Sequence, residues 1–354
     1  MTLKIIQLAL LPISLLYQGI LRLRNHLYDI DFFGTSEFEI PTINVGNLAF
    51  GGTGKTPHIE FLIEVLSKVP LKVAVLSRGF KRKTSGYIFA DKTCNPFTIG
   101  DEPYQLYCKF PDISVAVSEN RVLGIPNLLM DAPETDIILL DDAYQHRALK
   151  PGLNILLTEQ DKLYSNDYLV PSGYLREYAD AAKRADIIII SKCDPELSES
   201  NKTEIINQLK PLPSQKLFFS SIVYGNLIPF HQDQKETSAT AVLGICGIAR
   251  PAIFENHLKC YYHEVSFLDY PDHHIFKQKD IEKIKQVFDE IRAEKKLIIC
   301  TEKDYQKLIQ CEYFNQIEKL PIFYLPIKIA FSAKEELAFT NTILEYVKGN
   351  PRKY

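Results

Sequence analysis

Short apolar runs alternate along much of the chain with stretches in which apolar positions recur every three or four residues. Residues 71–77, 113–117, 136–140, 154–157 and 186–190 read as buried strands, and a β-branched run at 41–45 opens the series. Helical spacing follows at Ile59, Leu62, Ile63, Val65 and Leu66, and again over 119–130. This alternation predicts an α/β fold, a Rossmann-like parallel sheet with helices on both faces. In such sheets ligands sit beyond the carboxyl ends of the strands. Polar residues stand at those ends: Ser77-Arg78, Asp141-Asp142 and Ser191-Lys192.

From 211 to 237 the texture changes. Residues 216–223 are strand-like, Tyr224-Gly225-Asn226 turns, and 227–230 run into polar 231–237, so a hairpin-like β linker is expected. A second alternating unit begins at Ala239, with strands at 241–246, 261–267, 296–300 and 322–325 and helices at 251–260, 279–293 and 303–309. The tail 348–354 looks frayed. The division expected is 1–28 as an N-terminal helix, 29–215 as the larger domain, 216–238 as linker and 239–354 as a smaller α/β domain.

Residues 3–20 are mostly apolar, with Ile5, Ile6, Leu8, Leu10, Leu11, Ile13, Leu15 and Leu16, and Arg22, Arg24 and His26 follow. No small-residue cleavage site follows the run, which argues against a signal peptide. Gln7, Pro12, Ser14 and Gln18 interrupt it, which argues against a full membrane span. Two readings remain open on the residues alone: a core helix, or an apolar helix with a basic end lying in a membrane interface, with Pro12 expected to break or kink it.

The chemistry concentrates in Gly51-Gly52-Thr53-Gly54-Lys55-Thr56, between the strand at 41–45 and the helix that follows. Glycines let backbone amides close around a phosphate, the helix offers its positive end, and Lys55 adds a full charge. Thr56 stands where a nucleotide's magnesium is bound. The strict Walker pattern wants glycine where this chain has Ala49. The run 136–140 ends in Asp141-Asp142, the shape of a Walker B element whose acid completes the magnesium shell.

Phosphoryl transfer also needs a proton acceptor and cations. The candidates with loop context are Asp101 and Glu102, Arg78, Arg121, Arg176 and Glu177, and Asp272-His273-His274. Ser191-Lys192-Cys193-Asp194 mimics the guanine-reading element of GTPases, but no Asp-x-x-Gly switch follows Asp141 or Asp142. A deviant-Walker dimer would need lysine where Phe50 stands. A non-catalytic membrane module leaves the joint presence of Lys55, Thr56, Asp141 and Asp142 without a purpose.

Bulk properties narrow little. A chain of 354 residues with 46% hydrophobic and 24% charged residues accommodates two globular domains. A net charge of −3 gives no electrostatic case for nucleic acid. Seven scattered cysteines without a CxxC pair argue against a zinc site and suggest a reducing compartment.

Taken together, the motifs resemble those of the tetraacyldisaccharide 4′-kinase family over nearly the whole chain. The resemblance rests on Val45-Gly46-Asn47 leading into the glycine loop, Ser77-Arg78-Gly79, Gly100-Asp101-Glu102-Pro103, Asp141-Asp142-Ala143-Tyr144-Gln145-His146, Leu175-Arg176-Glu177, Gly247-Ile248-Ala249-Arg250-Pro251, Pro271-Asp272-His273-His274 and Thr301-Glu302-Lys303-Asp304. Ala143-Tyr144 departs from the family's usual Gly-Leu or Gly-Phe, while Ala49 is a family trait. The resemblance implies a kinase that moves the γ-phosphate of ATP, with Mg²⁺, to the 4′-hydroxyl of a tetraacylated glucosamine disaccharide 1-phosphate in lipid A synthesis. It implies a peripheral or monotopic place at the cytoplasmic face of the bacterial inner membrane, with no protein partner called for. By analogy Asp101 accepts the hydroxyl proton, assisted by His273. Gly51, Gly52, Thr53, Gly54 and Lys55 hold phosphates, Arg78, Arg121 and Arg176 hold phosphate groups of nucleotide or acceptor, and Thr56, Asp141, Asp142 and Glu177 surround the metal.

Overall fold

The computed structural model describes residues 2–231 and 237–350. Helix α1 (Thr2–Asp29) precedes a first lobe made of β1 (Thr42–Asn47), α2 (Lys55–Leu66), β2 (Val73–Ser77), β3 (Ile88–Phe89), α3 (Pro96–Ile99), α4 (Asp101–Lys109), β4 (Ser114–Val117), α5 (Arg121–Asp131), β5 (Ile137–Asp141), β6 (Leu153–Glu159), β7 (Ile187–Ser191), α6 (Glu199–Leu209) and β8 (Lys216–Phe219). Its strands form one eight-stranded sheet in the order β3-β4-β2-β5-β1-β6-β7-β8, parallel except for β3. β1 lies inside it, with Val45 opposite both Asp141 and Ile155. All six residues of β1 are buried, as expected of a strand covered on both faces.

Alternation along the strands splits the core. Val45, Ile155, Leu157, Ile187 and Ile189 pack against Ile59, Leu62 and Ile63 of α2 on one face. Leu156, Ile188 and Ile190 meet Leu21 of α1, Tyr144 and Leu175 on the other. α1 runs unbroken through Pro12, against the expected break. Contacts downstream hold it: Ser14 Oγ donates to the Leu169 carbonyl at 2.9 Å, and Asn25 Nδ2 to Glu177 Oε1 at 2.7 Å. No described helix is long and apolar enough to cross a membrane. The side chains of residues 3–6 and 8, which carry part of the apolar run, lie outside the described set, as do 351–354 of the tail.

The second lobe follows β9 (Ser221–Tyr224) and contains β10 (Ile228–Pro229), β11 (Ala241–Cys246), α7 (Pro251–Tyr261), β12 (Glu264–Asp269), α8 (Gln278–Glu290), β13 (Lys296–Thr301), α9 (Glu302–Leu308) and β14 (Ile322–Leu325). Its sheet runs β10-β14-β13-β11-β12, parallel except for β10. The chain returns through β15 (Ile327–Ala330) into α10 (Ala333–Gly349).

Two boundaries differ from those read in the sequence. The stretch at 216–238 is no hairpin: β8 closes the large sheet, β9 pairs antiparallel with the distant β15, and β10 joins the second sheet. Residues 232–236 of that stretch lie outside the described set. The unit expected at 239–354 also loses its last helix. α10 crosses back and buries Phe339, Ile343 and Val347 in the first lobe's core. An amphipathic helix packs wherever an apolar face is open, and the stripe on α10 names no partner.

Phe339 is 1% exposed and its ring lies 5.1 Å from Phe218 and 5.2 Å from Phe331, so Phe339→Ala opens a cavity in the first lobe. The expected cost is about 3–5 kcal/mol by urea denaturation. A loss below about 1 kcal/mol would mean that α10 is not part of that core.

Candidate active site

β1 ends in buried Asn47, and this residue organises the loop that follows. Its Nδ2 donates to Thr53 Oγ1 at 2.9 Å, while its Oδ1 accepts from Lys55 Nζ at 3.3 Å and from Arg176. Gly51 and Gly54 sit at φ +117° and +89°, the left-handed region that favours glycine. Gly54 then caps α2, so Lys55 and Thr56 occupy its first turn, where amides lack helical acceptors. Behind the loop, burial pushes His58 down to about 4, so the ring is neutral. Its Nδ1 therefore donates to the Gly54 carbonyl at 2.7 Å, and Nε2 accepts from Ser220 Oγ at 3.0 Å.

Two adjacent carboxylates close the far side. Asp141, at the end of β5, takes a hydrogen bond from Ser77 Oγ at 3.0 Å on Oδ2, and its Oδ1 is buried without a partner. Burial, then the charge of Asp142, pushes Asp141 up to about 6. Asp142 sits at φ +54°. Burial would raise it too, but Lys55 and Arg176 outweigh that and hold it at about 2. Lys55 Nζ lies 3.7 Å from Asp142 Oδ1, and Arg176 grips both carboxylate oxygens. The orphaned oxygen of Asp141 and a threonine hydroxyl at the helix start are hard-oxygen donors that suit a divalent cation, whereas both oxygens of Asp142 are already engaged by Arg176, against the expectation that it joins the metal shell.

The arginines and Glu177 divide differently from expectation. Arg176 is in the cluster. Arg78 is exposed on the loop after β2, with no hydrogen bond or ion pair among the described residues. Arg121 is buried, and its guanidinium donates to the carbonyls of Glu119 at 3.0 Å and Asp142 at 3.1 Å, which makes it a brace of the carboxylate loop. Burial pulls its pKa down to about 10. Glu177, expected at the metal, has no carboxylate oxygen free to serve as a ligand. Arg184 binds both its oxygens at 2.9 Å, and Asn25 of α1 adds a third bond, so the carboxylate is consumed in anchoring the N-terminal helix.

The other catalytic candidates meet across the lobes. Asp101 opens α4 after Gly100, which sits at φ +96° with Gly79 Cα 3.2 Å from where a Cβ would stand. His273, from the loop after β12, places Nδ1 2.9 Å from Asp101 Oδ2. Two lysines of α9, which residue-level reading gave no role, complete the group. Lys307 Nζ lies 3.4 Å from Asp101 Oδ2, and Lys303 reaches Glu102 at 3.2 Å, Asp272 at 3.4 Å and His273 Nε2 at 3.4 Å. Burial opposes ionisation of Asp101, but the His273 hydrogen bond and the two lysines hold its carboxyl below the usual range. Glu102 is near enough to help raise Asp141, so this pair and the phosphate loop share one field. A cavity of about 710 Å³ opens beside the pair, lined among others by Lys81, Phe97, Ile275 and Tyr313. Deeper between the lobes, Lys109 of α4 binds Glu60 of α2 at 2.8 Å and Glu302 of α9 at 2.9 Å.

The chain is similar to known proteins over nearly its whole length. The family model for tetraacyldisaccharide-1-P 4′-kinase matches residues 6–348. The chain is 41% identical to the tetraacyldisaccharide 4′-kinase of Bacteroides thetaiotaomicron, over 97% of this chain and 94% of that one. It is 42% identical to the protein of the same name from Flavobacterium johnsoniae, over 98% and 99%. Among solved structures, LpxK from Aquifex aeolicus in complex with ATP aligns with a TM-score of 0.73 at 27% identity, covering 97% of this chain and 99% of that one.

The buried Glu60–Lys109–Glu302 group predicts a pH dependence. Burial lifts Glu60 from 4.5 to about 7, with Lys109 opposing the rise and Glu302 adding to it. The folded state binds that proton more tightly than the unfolded chain, so its stabilisation is full below about 4.5 and is lost as pH rises through about 7. Glu60→Gln keeps the shape and does not titrate. Its urea midpoint should therefore gain on the wild type between pH 5 and pH 8, and a constant difference over that range would contradict the assignment.

Proposed function

Because the chain belongs to the tetraacyldisaccharide-1-P 4′-kinase family, we infer that it transfers the γ-phosphate of ATP to the 4′-hydroxyl of a tetraacylated glucosamine disaccharide 1-phosphate, a late step of lipid A biosynthesis. The observation that carries the mechanistic part is the Asp101–His273 contact, which joins one group from each lobe beside the cavity. In this reading the amides of Gly51, Gly52 and Gly54, with Lys55, hold the β- and γ-phosphates against the start of α2, while the Thr53 amide is not free for phosphate, because it donates to the Gly51 carbonyl at 3.1 Å. Arg176 and exposed Arg78 supply further cations. Thr56 and Asp141, whose Oδ1 has no partner, would hold Mg²⁺, which would neutralise phosphate charge there.

Asp101 takes the proton of the 4′-hydroxyl. Its Oδ2 is occupied by His273 and Lys307, which directs Oδ1 to the acceptor. The neighbouring cations keep Asp101 ionised, so the carboxylate is ready without prior deprotonation. Because His273, Lys303 and Lys307 come from the second lobe, the proton acceptor is fully assembled only when the lobes meet.

The acceptor's four acyl chains belong in a bilayer, and α1 offers a surface suited to that solvent. Leu16 is 70% exposed and Leu23 61%, with Ile13, Leu15 and Ile20 exposed beside them. A helix of this kind lies in the interface of the inner membrane's cytoplasmic face, with Arg22 near the headgroups.

Asp101→Ala is expected to lower kcat by roughly 10²–10⁴ while calorimetric affinity for ATP changes little. Near-normal turnover would remove Asp101 from the proton-acceptor role. For the membrane surface, replacing Leu16, Ile20 and Leu23 with serine should abolish cosedimentation with anionic vesicles without lowering the melting temperature. Unchanged cosedimentation would rule α1 out as the anchor.

A further inference from the structure

The tetrapeptide Ser191-Lys192-Cys193-Asp194, which mimics a base-reading element, lies behind the phosphate loop. Asp194 Oδ1 caps its own turn, accepting from the Glu196 amide at 3.0 Å. The two residues before it grip the loop from outside. Ser191 Oγ donates to the Thr53 carbonyl at 2.8 Å, and Lys192 Nζ donates to the Gly52 carbonyl. A trans peptide points its C=O and N–H in opposite directions. Drawing the Thr53 carbonyl outward therefore turns the Gly54 amide inward, toward a bound phosphate. Holding the Gly52 carbonyl fixes the peptide it shares with the Thr53 amide, which closes onto the Gly51 carbonyl at 3.1 Å.

Lys192 is itself held. Its ammonium lies 2.8 Å from Oε1 of Glu159, a buried carboxylate at the end of β6. The other oxygen of Glu159 accepts from Arg250, which comes from the loop after β11 in the second lobe. A chain of contacts thus runs from the second lobe to the loop: Arg250, Glu159, Lys192, Gly52. Glu159 divides its charge between two cations, so the lysine keeps a donor for the loop carbonyl. Without Arg250, the buried carboxylate would keep Lys192 as its one ion-pair partner among the described residues and would draw it off Gly52.

We propose that Glu159 is a positioning residue that couples docking of the second lobe, through Arg250, to the shape of the phosphate loop, through Lys192. Nucleotide affinity then depends on a residue that touches no nucleotide. This rests on the reading of the chain as an ATP-dependent kinase, and direct binding to the unaltered protein tests that reading separately.

The test measures calorimetric ATP affinity, ATP KM and melting temperature on the full chain carrying Arg250→Met, Arg250→Lys, Glu159→Gln and the Met/Gln double substitution. Arg250→Met and Glu159→Gln should each weaken ATP roughly tenfold, the range expected for a hydrogen bond to a charged group. Arg250→Lys should recover most of the loss, and Arg250→Met should add less than about twofold once Glu159 is Gln. A simple staple between lobes would lower the melting temperature and leave ATP affinity intact, which would overturn the proposal. So would losses that multiply in the double variant. Should Arg250→Met fail to fold, Glu159→Gln and Arg250→Lys decide by the same affinity measurement. Failure of the wild type to bind ATP would instead remove the kinase reading.

Discussion

Parallel strand order is the constraint on which the whole arrangement depends. Strands that run the same way deliver every following loop to one edge of the sheet. Here two such sheets turn those edges toward each other. The first contributes the phosphate loop after β1, Asp141-Asp142 at the end of β5, Glu159 at the end of β6 and Ser191-Lys192 at the end of β7. The second contributes Arg250 after β11, His273 after β12 and the lysines of α9 after β13. Polar side chains that would be costly inside either core are thereby concentrated in the gap between them. Each finds its partner on the opposite lobe or on a neighbouring loop.

Electrostatics then gives similar residues different characters. Asp141 and Asp142 are adjacent and both buried, yet one lies near 6 and the other near 2. The difference comes from their partners: the Asp142 carboxylate meets Lys55 and Arg176, whereas Asp141 has a serine hydroxyl. Asp101 follows the same logic in a third setting, where a histidine and two lysines offset its desolvation. One carboxylate is thus matched to cations already in place, and one is left with an oxygen to spare.

What could be read from the sequence followed from how local the physics is. The buried strands were legible because strands covered on both faces are apolar throughout, and the glycine loop because its backbone angles restrict residue choice. The return of α10 was not legible, since its apolar stripe fits any open face. Neither was Glu177: an acid beside Arg176 looks like part of the cation–carboxylate cluster until Arg184, seven residues away, is seen to claim it. Arg121 misled for a similar reason, because a buried guanidinium satisfied by carbonyls carries the same letter as one awaiting phosphate. The meeting of Asp101 and His273 spans 172 positions, a distance no periodicity reports, and the family resemblance alone pointed to it.

The pairing of β9 with β15 has a topological consequence. Tyr224 faces Ile327 across an antiparallel ladder, and the chain on either side, β8 before and α10 after, belongs to the first lobe. The second lobe is therefore an insertion, a single very long excursion from the tip of a two-stranded ribbon, whose two ends lie one ladder rung apart. Joining Tyr224 to Ile327 by a tight turn would leave every strand and the returning helix of the first lobe in register. The nucleotide-holding half is in this sense a complete protein that a second protein interrupts.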